Sequence, residues 1–190
     1  MDSMTILVIA VVIVVGIGVI VIFNTLIAKR QMAHNGWSDI DVQLKRRADL
    51  IPQLVSTVQG YAAHERQLFA DIAKKRSAAL AAGDDPAKRG AAESELSRPV
   101  GRLLALAESY PDLKASGNFL DLQRQLADTE DKIEMARRFY NGAVRELNTL
   151  VETFPANVVA GLFGVGKRSY FEITHEADRA VPHVTTDIGQ

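Results

Sequence analysis

A chain of 190 residues has room for one domain and an appendage, and its formal charge of −1, from 22 Lys and Arg against 23 Asp and Glu, supplies no field to gather nucleic acid or an anionic substrate. The complete lack of Cys removes disulfides, thiolate catalysis, thiolate metal sites and a lipoprotein anchor, and is compatible with either side of a membrane.

The chain opens with four residues, MDSM, and then an almost wholly apolar segment from Thr5 to Ala28, uncharged throughout and densest from Ile6 to Phe23. At about 1.5 Å per residue this stretch reaches roughly 27 to 36 Å, enough to cross a hydrocarbon core of about 30 Å. A cleaved signal peptide fits less well: Asp2 stands where Lys or Arg would be expected, the apolar run is too long, and no A-x-A-like site follows. Gly16 and Gly18 make no GxxxG face, so nothing in the span argues for dimerisation by close backbone contact. Lys29 and Arg30 flank the span on its C-terminal side, with Lys45, Arg46 and Arg47 beyond, against Asp2 alone before it. Positive charge stays on the cytoplasmic side, which predicts residues 1–4 outside and the rest of the chain inside. For Lys29 and Arg30 the simplest role is topology and snorkelling, with anionic head groups as the alternative contact.

Residues 29–165 read as a helical bundle and 166–190 as an extended segment and tail. From Asn35 to Glu65 the spacing predicts one long helix whose apolar positions, Ile40, Leu44, Ile51, Leu54, Val55, Val58, Tyr61 and Ala62, share a broad face, with the pattern running on through Leu68, Phe69 and Ile72 towards Leu80. Trp37 lies about nine residues, roughly 13 Å, past Ala28, too far for an interfacial belt, and is expected to pack within the domain. Pro52 lacks an N–H and crowds the carbonyl of Ala48, so it kinks this helix or breaks it. Gly83-Asp84-Asp85-Pro86 is a stop and turn, after which Ala87 to Ala107 carries a second stripe with Pro99 as a kink or a late start. Tyr110-Pro111-Asp112 ends that helix, and Ser116 or Asn118 caps a third, about Phe119 to Phe154, which Pro155 stops. A short helix over Ala156 to Leu162 and an extended piece over Ser169 to Ile173 complete an all-α chain: a transmembrane helix continuing into an antiparallel bundle of three long helices and a short fourth.

Three strings carry a likeness to a known family: Trp37 to Pro52 (WSDIDVQLKRRADLIP) followed by Tyr61-Ala62-Ala63-His64-Glu65; Ala107 to Ala115 (AESYPDLKA) with Asn118-Phe119-Leu120; and Ala136-Arg137-Arg138-Phe139-Tyr140-Asn141 with Phe154-Pro155. In these the chain resembles the LemA family of bacterial membrane proteins. The resemblance implies one N-terminal membrane helix in the bacterial inner membrane running into an antiparallel bundle. It also implies that Trp37, Asp41, Arg46, Arg47, Asp49, Pro52, Tyr61, His64, Glu65, Tyr110, Pro111, Arg137, Arg138, Tyr140, Asn141 and Pro155 are structural motif residues. It carries no established enzymatic activity and no cofactor, and it leans towards membrane-bound scaffolding, one branch of the family being associated with building magnetosome membranes.

Other chemistries have weaker support. Gly161 to Lys167 has GxxxxGK spacing, but Arg168 stands where a Mg²⁺-holding Ser or Thr belongs and no buried strand precedes it. Glu172-Ile173-Thr174-His175 offers a single ExxH where di-iron bundles need two, and His64-Glu65 lacks the second His of HExxH. Asp39, Asp41, Asp49, Glu130 and Glu134 sit close in sequence to Arg46, Arg47, Arg137 and Arg138, a pattern that fixes helix register more readily than it does acid–base work. The expectation is therefore a non-enzymatic, single-pass membrane protein that self-associates as a scaffold and contacts lipid through residues 5–28. The alternatives are a monomeric adaptor that recruits another protein through the face around Trp37 and Tyr61, and a carboxylate-dependent enzyme.

Overall fold

The computed structural model describes residues 2–173, all helix and loop. Six helices follow in order: α1 Ser3–Gln59, α2 Arg66–Ala81, α3 Pro86–Ala107, α4 Pro111–Lys114, α5 Gly117–Glu152 and α6 Ala156–Leu162. The all-α expectation holds, and α6 has the expected bounds. The expected tail lies largely outside the described residues, as does His175.

Contacts divide the described chain into two compact units, one of residues 2–47 and 127–171, the other of residues 48–126 with Glu172 and Ile173. In the first, α1 and α5 run antiparallel: Lys29 meets Glu146, Trp37 meets Tyr140 and Arg47 meets Glu130, so rising numbers on one helix face falling numbers on the other. Gly36 permits their close approach, because a Cβ there would lie 2.9 Å from the Phe139 ring and 3.1 Å from the Tyr140 Cα. The apolar end of the unit is a cluster of Leu26, Leu147, Val159, Ala160 and Val165, edged by Val19, Ile22, Phe23, Leu150 and Val151.

The second unit is cored by Leu50, Ile51, Leu54, Val58, Phe69, Ile72, Leu96, Val100, Leu103, Leu113, Phe119, Leu122 and neighbours. Here the structure departs from the expected long first helix. That helix ends at Gln59, and Tyr61, His64 and Glu65 lie in the turn before α2 rather than on its face. The physical reason is coverage. Phe69 and Ile72 share a core with Ile51 and Leu54, which a straight continuation would carry away from them; reversal at Gly60 folds them back, with Ala62 fully buried in the turn. Tyr61, placed on the apolar face by its spacing, is instead 46% exposed.

Pro52 neither breaks α1 nor ends it. A proline removes the hydrogen bond that would satisfy the carbonyl four residues back, here that of Ala48. The side chain of Arg76 on α2 supplies the replacement, its Nε donating to the Ala48 oxygen at 2.5 Å while the guanidinium lies 3.8 Å from Asp49. Arg76→Met is therefore expected to cost about 1–2 kcal/mol by orphaning that carbonyl. In a Pro52→Ala background the cost falls towards zero, since the substituted residue brings back the missing N–H donor. Equal costs in both backgrounds, read from denaturation midpoints, would remove Arg76 from this role.

In α3, Pro86 occupies the first turn, and the Asp85 carboxylate accepts from the Ala87 and Lys88 amides at 3.0 and 3.3 Å. The helix continues through Pro99, which is buried. Helices α2 and α3 are antiparallel, tied by Lys75–Glu95 at 3.1 Å and Arg102–Asp71 at 3.2 Å. The Glu95 carboxyl is held below its ordinary range, first by the Lys75 hydrogen bond and then by the charges of Arg98 and Lys75.

Candidate functional site

Within the first unit two features stand apart from ordinary packing: an uncovered apolar helical segment and a polar framework that fixes an extended segment against α5. The 18-residue apolar window of α1 has no buried residue, and α1 is the one helix among those described that is long and apolar enough to cross a membrane. Where α1 acquires neighbours, Lys29 pairs with Glu146 at 2.6 Å. That pairing holds the Glu146 carboxyl below its ordinary range, through the hydrogen bond first and the Lys29 charge second. A depressed carboxylate contributes at neutral pH and loses its contribution as pH falls through the lowered value, so this contact is present across the physiological range. Arg30, the other flanking cation, is exposed.

Further along, Trp37 is buried with its ring centroid 5.7 Å from Tyr140 and 5.6 Å from Phe171, the second pair edge-on. Tyr140 is fully buried and spends its hydroxyl on the Ser169 carbonyl at 2.7 Å. Asn141 reads one residue of the extended segment twice, donating to the Phe171 carbonyl at 2.9 Å and accepting from its amide at 3.0 Å. Asn148, two helical turns on, does the same to Arg168, at 2.9 Å for both bonds. The backbones of Arg168 and Phe171 are thus paired with side-chain amides as a strand is paired with a neighbour, which satisfies polar groups that no helix serves.

The structure brings several predicted motif residues together. Arg47 is buried, with its Nε 3.0 Å from the Glu130 carboxylate, and Asp41 holds Lys45 at 2.6 Å. Arg46 is exposed and helps, after Lys132, to lower the Asp128 carboxyl. Arg138 reaches Glu134 at 3.7 Å, and with Arg137, Asn141, Gly142, Arg145 and Tyr170 it lines a shallow cleft of about 350 Å³. In the second unit the Tyr110 hydroxyl and His64 Nε2 are hydrogen-bonded at 3.3 Å, joining two of the three motif strings. Pro111 begins α4, and Glu65 precedes α2 without a side-chain cap. Pro155 stands just before α6 and follows a cis peptide bond.

The other candidates do not assemble. Gly161 to Gly166 wraps an apolar cluster, with Gly164 at φ 66° turning the chain after α6, and Lys167 is taken by Glu152. No three His, Asp or Glu side chains converge among the described residues. Sequence reasoning did not single out Asn148, nor Gly90, whose missing Cβ makes room for the Glu172 carbonyl, nor the buried ion pair of Arg89 and Glu93 beside it. Asn148 carries a faint signal, a second Asn seven positions after Asn141 and so on the same side of α5.

Comparison with known proteins bears on this framework directly. The sequence model of the LemA family matches residues 36–185, which contain Trp37, the Arg47–Glu130 pair, both asparagines and the extended segment they hold. This is a LemA-family chain. Among curated LemA-like relatives, "Magnetosome protein MamQ 2" of Paramagnetospirillum magneticum is 24% identical over 88% of this chain and 70% of its own length. "Magnetosome protein MamQ" of Magnetospirillum gryphiswaldense is 23% identical with the same coverage. "Protein LemA" of Metamycoplasma hominis is 28% identical over 72% of this chain and 63% of its own length. With the uncovered apolar segment of α1, these relatives mark the chain as a membrane-associated LemA-family protein.

Proposed function

We propose that this LemA-family protein is a non-enzymatic, single-pass scaffold of the bacterial inner membrane, with residues 1–4 outside, the helical part cytoplasmic and copies associating laterally. The observation that carries the reading is the unbroken α1. Within one compact unit the same helix supplies the uncovered apolar segment and, from Leu26 to Arg47, the surface on which α5 packs. Any association between copies through that unit therefore fixes the position of the anchors. Val42 on α1, with Met135 and Phe139 one turn apart on α5, supplies exposed apolar surface suited to such a contact. The pairing of the motif carboxylates with Lys and Arg supports a structural role for them over acid–base work. The magnetosome naming of relatives that share 88% of the chain supports a role at a membrane.

Full-length protein extracted in mild detergent should form large, regular particles by mass and by imaging. Uniform monomers that retain a defined protein partner would replace the scaffold with an adaptor. Stoichiometric metal in the purified protein would reopen an enzymatic reading.

A further inference from the structure

The apolar surface of α1 does not stand alone. At its C-terminal end, α6 lies against it: Ala156, Val159 and Ala160 are buried on one side of α6, and Val159 and Ala160 pack with Leu26 in a cluster edged by Val19, Ile22 and Phe23. The Phe23 and Phe163 rings sit 4.6 Å apart. The opposite side of the same segment is uncovered and largely apolar, with Asn157 the one exposed polar side chain on α6. On α6, Val158 and Leu162 are four apart on one helical face and are 54% and 75% exposed, while Phe154 in the turn before the helix is 78% exposed and Phe163 after it 55%. Between Glu152 and Lys167 the sequence has no Asp, Glu, Lys or Arg, and those two residues form an ion pair that closes the base of the loop.

We propose that the turn after α5 and helix α6 form a second membrane contact, a foot that buries Phe154, Val158, Leu162 and Phe163 in the head-group and acyl boundary beside the anchor. The inference rests on reading α1 as a membrane anchor. Its argument is continuity: the exposed face is joined through Phe163 and Phe23 to an apolar helix whose own outward residues face lipid, so one hydrocarbon phase covers both. Interfacial apolar faces sink about 5–10 Å, a depth suited to a single short helix. Charge agrees with this placement. Arg168 follows the loop, Arg145 precedes it on α5 and Arg30 follows the span on α1, cations suited to anionic head groups, while Lys29 and Lys167 are paired with Glu146 and Glu152.

The foot also moves the expected membrane boundary. The Glu152–Lys167 pair belongs among head groups, and on α1 the first exposed polar side chains after the apolar run are Asn24 and Thr25. The hydrocarbon segment then runs from about Met4 to Phe23, roughly 30 Å of helix, instead of reaching Ala28.

Because the chain has no Cys, single labels are clean. Full-length protein carrying a nitroxide at Val158→Cys or Leu162→Cys is placed in phosphatidylcholine–phosphatidylglycerol vesicles, and its collisions with oxygen and with a water-soluble nickel chelate are compared. Val14→Cys in the span and the exposed Asp131→Cys on α5 serve as references. The expected result is that both foot labels follow Val14, with an oxygen-to-nickel ratio several-fold above that of Asp131. Foot labels that follow Asp131 while Val14 remains lipid-like would overturn the foot and leave the anchor standing. Labels shielded from both reagents would also overturn it, and spin–spin broadening that disappears on dilution with unlabelled chain would assign the face to a second copy. A Val14 label open to nickel would overturn the anchor itself and the foot with it.

Discussion

Replacing Trp37 by Ala is expected to cost the first unit about 3–5 kcal/mol, near the upper end for a single core truncation. Trp37 is buried between Tyr140 and Phe171, so truncation removes two aromatic contacts and leaves a void lined by a helix and by an extended segment. The helix has its own ladder of hydrogen bonds; the extended segment does not. Phe171 is held by Asn141 and by Trp37, and loss of the indole leaves Asn141 to position it alone. Trp37→Phe, which retains a ring, should cost much less. The measurement is the denaturant midpoint by far-UV circular dichroism on full-length protein in detergent. Because Trp37 is the single Trp of the chain, its fluorescence reports the same transition in the parent. A loss below about 1 kcal/mol would mean that this aromatic group does not organise the unit.

A cost of similar size is expected in the second unit from Glu93→Ala. Arg89 and Glu93 stand one turn apart on α3, 3.0 Å from nitrogen to oxygen, with side chains 5% and 2% exposed. An exposed pair of this spacing is worth a few tenths of a kcal/mol, whereas removing one partner of a buried pair strands the other charge and costs about 3–5 kcal/mol. In Glu93→Ala the guanidinium of Arg89 is the stranded group. The double variant Arg89→Met with Glu93→Leu removes both charges and preserves volume, so it should recover most of the loss. If the double variant is as unstable as the single, packing volume and not the stranded charge sets the cost.

Both residues show why part of this molecule is hidden in its sequence. Arg89 and Glu93 read as a solvated i,i+4 pair, and no local feature distinguishes that from a buried one; Gly90 between them leaves room for the Glu172 carbonyl, a neighbour remote in sequence that no helical pattern announces. The Gly60 reversal is illegible for a related reason. Helical periodicity reports which residues share a face but not whether the helix bearing them turns back, and Leu68, Phe69 and Ile72 keep the same period on either side of the turn. Phe154 reads as the last member of the α5 stripe and is instead exposed, because α5 ends at Glu152 and Phe154 lies in the turn that follows. By contrast, α5 and α6 are legible, since an amphipathic stripe bounded by Gly117 and Pro155 fixes its own limits. The packing of Trp37 follows from its distance from the span alone. Pro52 is an open choice in the sequence because its outcome depends on Arg76, a residue on another helix.

The central claim is that copies of this chain associate on a membrane and thereby set the arrangement of their anchors. The most direct test is electron cryomicroscopy of full-length protein reconstituted into liposomes over a range of protein-to-lipid ratios. Regular clusters or arrays, with a membrane contour that changes as their density rises, are the expected result. Isolated monomers on vesicles of unaltered contour at every density would contradict the claim.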